Sequence, residues 1–158
     1  MKISTKGRYA TMAMLDLALH YGEGPILVKD VARRQYISEQ YLEHLLILLR
    51  VAGTVRSARG KHGGFILARP PSQIRLSEII QATEGSMAPT DCVDAPESYP
   101  RASLCVIHDV WVEVKAAVSR VLESTTLQDL LERQIKKETT AGYGVKEAKC
   151  CQNKFISH

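Results

Sequence analysis

The chain has 158 residues, 45% of them hydrophobic and 24% charged, which suits one ordinary domain or a small domain with an appended arm. No run of about eighteen apolar residues occurs, so a transmembrane helix is excluded. Residues 1–70 hold eleven Lys or Arg against five Asp or Glu, and residues 71–158 hold ten against twelve. A half of charge +6 therefore precedes a half of charge −2, the asymmetry of a polyanion-binding unit followed by a unit with another task.

Arg8, Asp16 and His20 interrupt the first apolar stretch, so no secretory signal is expected. Cys92, Cys105, Cys150 and Cys151 are too few and too unevenly placed for a disulfide scaffold, and the first ninety residues contain none. A reducing, cytoplasmic setting is expected, in which such thiols point to metal or redox chemistry.

Ser4 and Thr5 open a helix whose apolar positions recur at helical spacing through Leu19, and Gly22, Gly24 and Pro25 end it. A short helix from about Val28 to Arg34 follows. Ser38 is the N-cap of a third helix, with Glu39 in its first turn and Leu42, Leu45, Leu46, Leu48 and Leu49 as its buried stripe; Gly53 supplies its left-handed cap. The period then changes. Thr54–Ser57 and Gly64–Leu67 read as two strands joined by the basic turn Arg59-Gly60-Lys61-His62-Gly63. A fourth helix spans Leu76 to about Thr83 and is closed by Gly85.

Residues 86–103 lack a period and read as a loop. Helix resumes near Leu104 and runs to about Glu123. Its positions Val110, Trp111, Val114, Val118, Val121 and Leu122 form an apolar ridge that calls for the same ridge of a second subunit, with Trp111 as a core or interface anchor. Another helix, Leu127 to about Lys136, follows a capping pattern at Thr126 and Asp129. The fold class expected is mainly α with a small β-hairpin wing. Residues 1–85 form a winged helix-turn-helix DNA-binding domain, 86–103 a sensor loop, 104–137 a dimerisation helix with a short following helix, and 138–158 a disordered tail.

Two helices, a tight turn and a basic hairpin have a specific use. The early residues of the third helix, Ser38, Gln40, Tyr41, Glu43 and His44, are the ones a major groove would receive. Gln pairs with adenine, and Glu accepts from the amino group of cytosine. Arg56, Arg59, Lys61 and His62 suit phosphates or a narrow minor groove. Lys2, Lys6 and Arg8 add charge at the first helix, whose amide terminus also attracts phosphate.

Three stretches carry a resemblance: Met1 to Ala10, Ile37-Ser-Glu-Gln-Tyr-Leu-Glu43 and Arg59-Gly-Lys-His-Gly-Gly-Phe65. Across about residues 1–136 the chain resembles the Rrf2 family of bacterial transcription regulators. The resemblance implies a winged-helix homodimer that binds palindromic double-stranded promoter DNA and responds to iron, sulfur, redox or nitric oxide status. It also implies that Gln40, Tyr41 and Glu43 face the groove, that Glu43 helps select the operator class, and that Arg59 acts from the wing.

Cluster-sensing members of that family carry three cysteines in the loop before the long helix, the last followed three residues later by a histidine. The matching residues here are Cys92, Cys105 and His108, but Tyr99 stands at the expected middle cysteine. The implied cofactor is an iron–sulfur cluster, 2Fe-2S in preference to 4Fe-4S, with an incomplete ligand set. A fourth donor would come from Tyr99, Asp94, Glu97, Ser98, a tail cysteine or the partner subunit; zinc is the lesser metal alternative. Cys105 and His108 share one helix face by spacing. The alternative is a cluster-free winged-helix repressor controlled by a partner protein or metabolite. A thiol oxidoreductase using Cys92 and Cys105 is not expected, because no Cys-x-x-Cys pair, phosphate loop or nucleophile–base arrangement accompanies them. Cys150 and Cys151 read as incidental reactive thiols.

Overall fold

The computed structural model describes residues 2–60 and 63–140. Its elements are α1 (Thr5–Leu19), α2 (Val28–Gln35), α3 (Glu39–Val51), β1 (Val55–Ala58), β2 (Gly64–Leu67), α4 (Leu76–Glu84), α5 (Asp91–Asp94), α6 (Val106–Ser124) and α7 (Leu127–Thr140). The first helices start where their caps stand. Ser4 Oγ accepts the Lys6 N–H at 3.1 Å, and Ser38 Oγ accepts that of Tyr41 at 3.3 Å. α3 stops at Gly53, whose φ of 73° is cheap only for a residue without a Cβ.

β1 and β2 pair antiparallel from Val55↔Leu67 to Ala58↔Gly64, and Ile26 bridges to Phe65 on the other edge of β2. Ile26 N–H donates to Phe65 O at 3.0 Å and receives the Phe65 N–H at 2.9 Å. A Cβ at Gly64 would meet Ile26 O at 2.3 Å, so this approach admits only glycine. The linker before α2 is thereby strapped to the hairpin, which fixes the wing relative to the helices.

The core lies among α1, α2, α3, the hairpin and α4. Ala10, Ala13, Met14, Leu17, Val31, Leu42, Leu46, Leu49, Val55, Leu67, Ile74 and Ile79 meet there. Full burial of each large aliphatic side chain contributes about 1.5–3 kcal/mol. Of the five leucines expected along α3, Leu48 is only half-buried because it flanks the stripe.

α7 returns to this core. Leu127 is fully buried within it, Leu127 N–H donates to Ile74 O at 2.9 Å, and Leu76 N–H donates to Thr125 O at 2.8 Å. Thr126 and Asp129 cap α7 reciprocally: Thr126 N–H donates to Asp129 Oδ2 at 2.7 Å, and Asp129 N–H to Thr126 Oγ1 at 3.1 Å. The sequence grouped α6 and α7 as one unit; the structure gives them different surroundings. α7 also continues beyond the expected Lys136 to Thr140. The remainder of the expected tail, with Cys150 and Cys151, lies outside the described residues, as do Lys61 and His62.

The 86–103 segment holds the single turn α5 and two 3-10 turns, Pro96–Ser98 and Ala102–Leu104, before α6 starts. α6 has 19 residues and buries none of them. Trp111, Val114, Val118 and Leu122 are half-buried, while Val110 and Val121 remain 53% and 62% exposed. Among the described residues, no helix is long and apolar enough to cross a membrane.

Candidate nucleic-acid interface and sensor segment

α3 buries Leu42, Leu46 and Leu49 and leaves Gln40, Glu43 and His44 exposed, with Ser38 exposed at its N-cap. Its amide terminus, polar side chains and free face fit a groove. Tyr41 behaves differently. It is half-buried, and its ring stands edge-on to Tyr9 with centroids 6.1 Å apart. Arg8 places its guanidinium 5.9 Å over the Tyr9 ring. Tyr41 therefore braces α3 on α1, and Arg8 is held at the edge of that contact.

Arg56 and Arg59 are exposed on and after β1. The tip turns tightly through Gly60, with φ 106°, and Gly63 N–H donates to Gly60 O at 2.9 Å. Lys6 and Arg8 are exposed at the start of α1, beside exposed Lys2.

The expectation that the α1 amide terminus is open to phosphate needs correction. Glu84 Oε1 accepts the Gly7 N–H at 2.9 Å, the Ser4 N–H at 3.2 Å and the Ser4 hydroxyl at 2.6 Å. Ser4 Oγ takes the Lys6 N–H and Ser4 O takes the Arg8 N–H. A carboxylate from α4 already fills the place where a phosphate would bind. The Ser4 hydroxyl, then the Gly7 and Ser4 amides and nearby Lys6, hold the Glu84 carboxyl below its ordinary range despite partial burial.

A second tie lies inside the helical pair. Asp16 is 2% exposed and accepts from Arg34 Nε at 2.9 Å, Arg34 Nη2 at 2.6 Å and Gln35 Nε2 at 3.1 Å. The bond to Asp16 raises the Arg34 pKa further. This fork holds α2, and through it the turn into α3, on α1. The sequence reading missed both Asp16 and Glu84. The available signal was an acidic residue on a buried face, Asp16 between Leu15 and Leu17.

In the segment before α6, Cys92, Tyr99, Pro100, Arg101, Ala102, Cys105 and His108 line one cavity of about 330 Å³. Residues sixteen positions apart at its extremes, Cys92 and His108, are thus neighbours. Cys92 is half-buried and Cys105 exposed. His108 Nε2–H donates to Cys92 O at 3.1 Å, and its Nδ1 lies 3.7 Å from Asp109 Oδ1. Lys115 donates to Asp94 Oδ1 at 2.6 Å and pins α5 to α6; this bond lowers the Asp94 pKa.

These donors do not complete the shell of an iron–sulfur cluster. Two thiols and one imidazole face the cavity, the imidazole has its Nε2 committed to a carbonyl, and a phenol stands at the middle position. Among the described residues, no three His, Cys, Asp or Glu side chains are grouped closely enough to hold a metal ion.

A helix with a polar free face, set on a helical scaffold and followed by a strapped basic hairpin, defines a winged helix-turn-helix DNA-binding protein. Residues 3–133 match the Rrf2 family of iron-dependent transcriptional regulators, and the chain belongs to that family. It is 42% identical over 130 residues to the HTH-type transcriptional regulator CymR of Bacillus subtilis, covering 82% of this chain and 89% of that one. It is 39% identical over 134 residues to the HTH-type transcriptional regulator IscR of Xenorhabdus nematophila, covering 85% and 81%. Among solved structures, CymR, the global cysteine regulator of B. subtilis, matches with a TM-score of 0.71 at 41% identity, covering 84% of this chain and 98% of that one. IscR of T. potens matches with 0.69 at 44% identity, covering 84% and 88%. The protein is a DNA-binding transcriptional regulator, and its relatives are regulators rather than enzymes.

Proposed function

We propose that the chain works in the cytoplasm as a homodimer on palindromic promoter DNA. Ser38, Gln40 and Glu43 meet base edges, and Arg59, Lys61 and His62 meet the backbone or a minor groove from the wing. Lys6 and Arg8 contact phosphates, while Tyr41 supports α3 from behind. The observation that carries this reading is the division of α3 into a buried leucine stripe and an exposed polar face. The open side of α6 supports the pairing, because 19 helical residues without a buried side chain leave an apolar ridge for a second copy.

Selection from a random duplex library by the full chain and by Glu43→Ala tests the groove assignment. The variant is expected to lose discrimination at one position of each half-site, where a lost base contact is worth about 1–3 kcal/mol. An identical selected sequence would contradict it.

The signal, on this proposal, enters at the cavity of Cys92, Tyr99, Cys105 and His108. Two thiols and an imidazole on one cavity, in a family of iron-dependent regulators, support an iron–sulfur or redox signal. Tyr99 at the vacant ligand place and the His108–Cys92 hydrogen bond support control by a metabolite or partner protein without a cluster. The similarity to a regulator described as the global cysteine regulator is in keeping with that second reading. The donor set favours it. The chain incubated anaerobically with iron and sulfide should then stay colourless and keep its DNA affinity. A brown product with stoichiometric iron and sulfide and an altered affinity would restore the cluster.

A further inference from the structure

We infer that Glu84 is a positioning residue for DNA binding: by gathering the Ser4 and Gly7 donors onto one carboxylate oxygen, it aims the basic start of α1 at the phosphate backbone. The inference rests on the proposed phosphate contacts of Lys6 and Arg8 and adds the group that sets their position.

The geometry is specific. Ser4 and Glu84 lie 80 positions apart in the chain, yet three donors from the first seven residues converge on Glu84 Oε1 within 3.2 Å. A residue ahead of a helix has no ladder of its own to hold it, so Lys2, Ile3 and Ser4 would fray without an acceptor. Gly7 is buried, and a Cβ there would meet Glu84 Oε1 at 2.6 Å, so the helix start and the carboxylate are fitted to each other at a glycine. Lys2, Lys6 and Arg8 flank these donors in the chain and are all exposed.

A carboxylate beside a DNA-facing segment is a cost in bare electrostatics, since it repels phosphate. Its presence here is explained by the amides it organises. The latch is also next to the sensor segment. Glu84 is the last residue of α4, and Gly85, with φ 74°, turns the chain toward α5 and Cys92. One glycine separates Glu84 from residues 86–105.

The test uses the full chain and a duplex selected by the wild-type protein, with binding measured across a salt series. Lys6→Ala and Arg8→Ala first establish whether α1 meets phosphates; each should flatten the salt dependence. Glu84→Ala and Gly7→Ala should then weaken binding about tenfold at low salt. Their log–log slopes should be shallower by about two units for a dimer, one phosphate contact per subunit. Glu84→Gln keeps an acceptor at the same place and should bind like wild type. Gly7→Ala guards against a simple folding defect, since alanine favours the helix while its Cβ pushes the carboxylate aside. If Lys6→Ala and Arg8→Ala leave the slope unchanged, the phosphate contacts and this inference fall together. If those two act but Glu84→Ala keeps the wild-type slope, or Ala and Gln at position 84 behave alike, Glu84 has no positioning role.

Discussion

The head, formed by α1 to α4 with the hairpin, and helix α6 are both rich in apolar residues, yet they end in opposite states. In the head, α1 to α4 and Leu127 close a core in which Met14, Leu42, Leu49, Ile74 and Ile79 have no exposure at all. Buried hydroxyls there find partners, Thr54 on Leu49 O at 2.9 Å and Thr83 on Ile79 O at 2.9 Å. In α6 nothing is buried, and Val106 and Ile107 are 76% and 60% exposed. The head closes its own apolar core. Among the described residues nothing covers the apolar surface of α6; on the proposed pairing its stability depends on concentration while that of the head does not.

Substitutions in the two regions should differ in effect. The largest effect is expected for Leu42→Ala, which opens a cavity in the closed core. It should lower the unfolding free energy by about 2–5 kcal/mol in urea titration, and an unchanged midpoint would mean the head is not the closed unit described. Asp16→Ala should follow, at about 2 kcal/mol, because it strands Arg34 and Gln35; the figure is moderated by the 30% exposure of the Arg34 side chain.

A smaller effect belongs to acid. The Glu84 carboxyl is held below its ordinary value of 4.5 in the folded chain. Its contribution is therefore complete above that pH and disappears as pH falls through the lowered value. Thermal melts from pH 5 downward, a range of roughly two units, should decline more steeply for wild type than for Glu84→Gln. Parallel curves would remove Glu84 from the ledger of the fold. The smallest effect on the head is expected from Val110→Asp with Val121→Asp, within about 0.5 kcal/mol, because both positions are exposed on α6. The same pair should abolish self-association in light scattering, and a retained dimer would move the interface elsewhere.

The parts legible in the sequence were those whose cause is local. Ser4, Ser38, Thr126 with Asp129, and Gly53 mark helix ends because a cap acts within four residues, and the leucines of α3 show their period within thirteen. What escaped was non-local. The Ser4–Glu84 bonds span 80 positions and the Asp16–Arg34 fork 18, and no period links such residues. The return of α7 to the core depends on Leu127, with Leu130 and Leu131 beside it, finding Ile74 and its neighbours about 50 positions earlier.

The candidate site shows the same division. Polar residues on α3 were visible as a face, but the Tyr41 ring turned inward because Tyr9, 32 positions earlier, offers an aromatic edge. Cys105 and His108 were related by helical spacing. Their approach to Cys92 and Tyr99 depends on the turns around Pro96 and Pro100, which spacing does not encode.

Sedimentation equilibrium of the chain with a selected duplex decides whether it grips DNA as a symmetric pair. Two chains on each duplex, and a matching dimer in free solution, are the expected result. One chain per duplex, or a chain that stays single and leaves the duplex unbound at low salt, would contradict it.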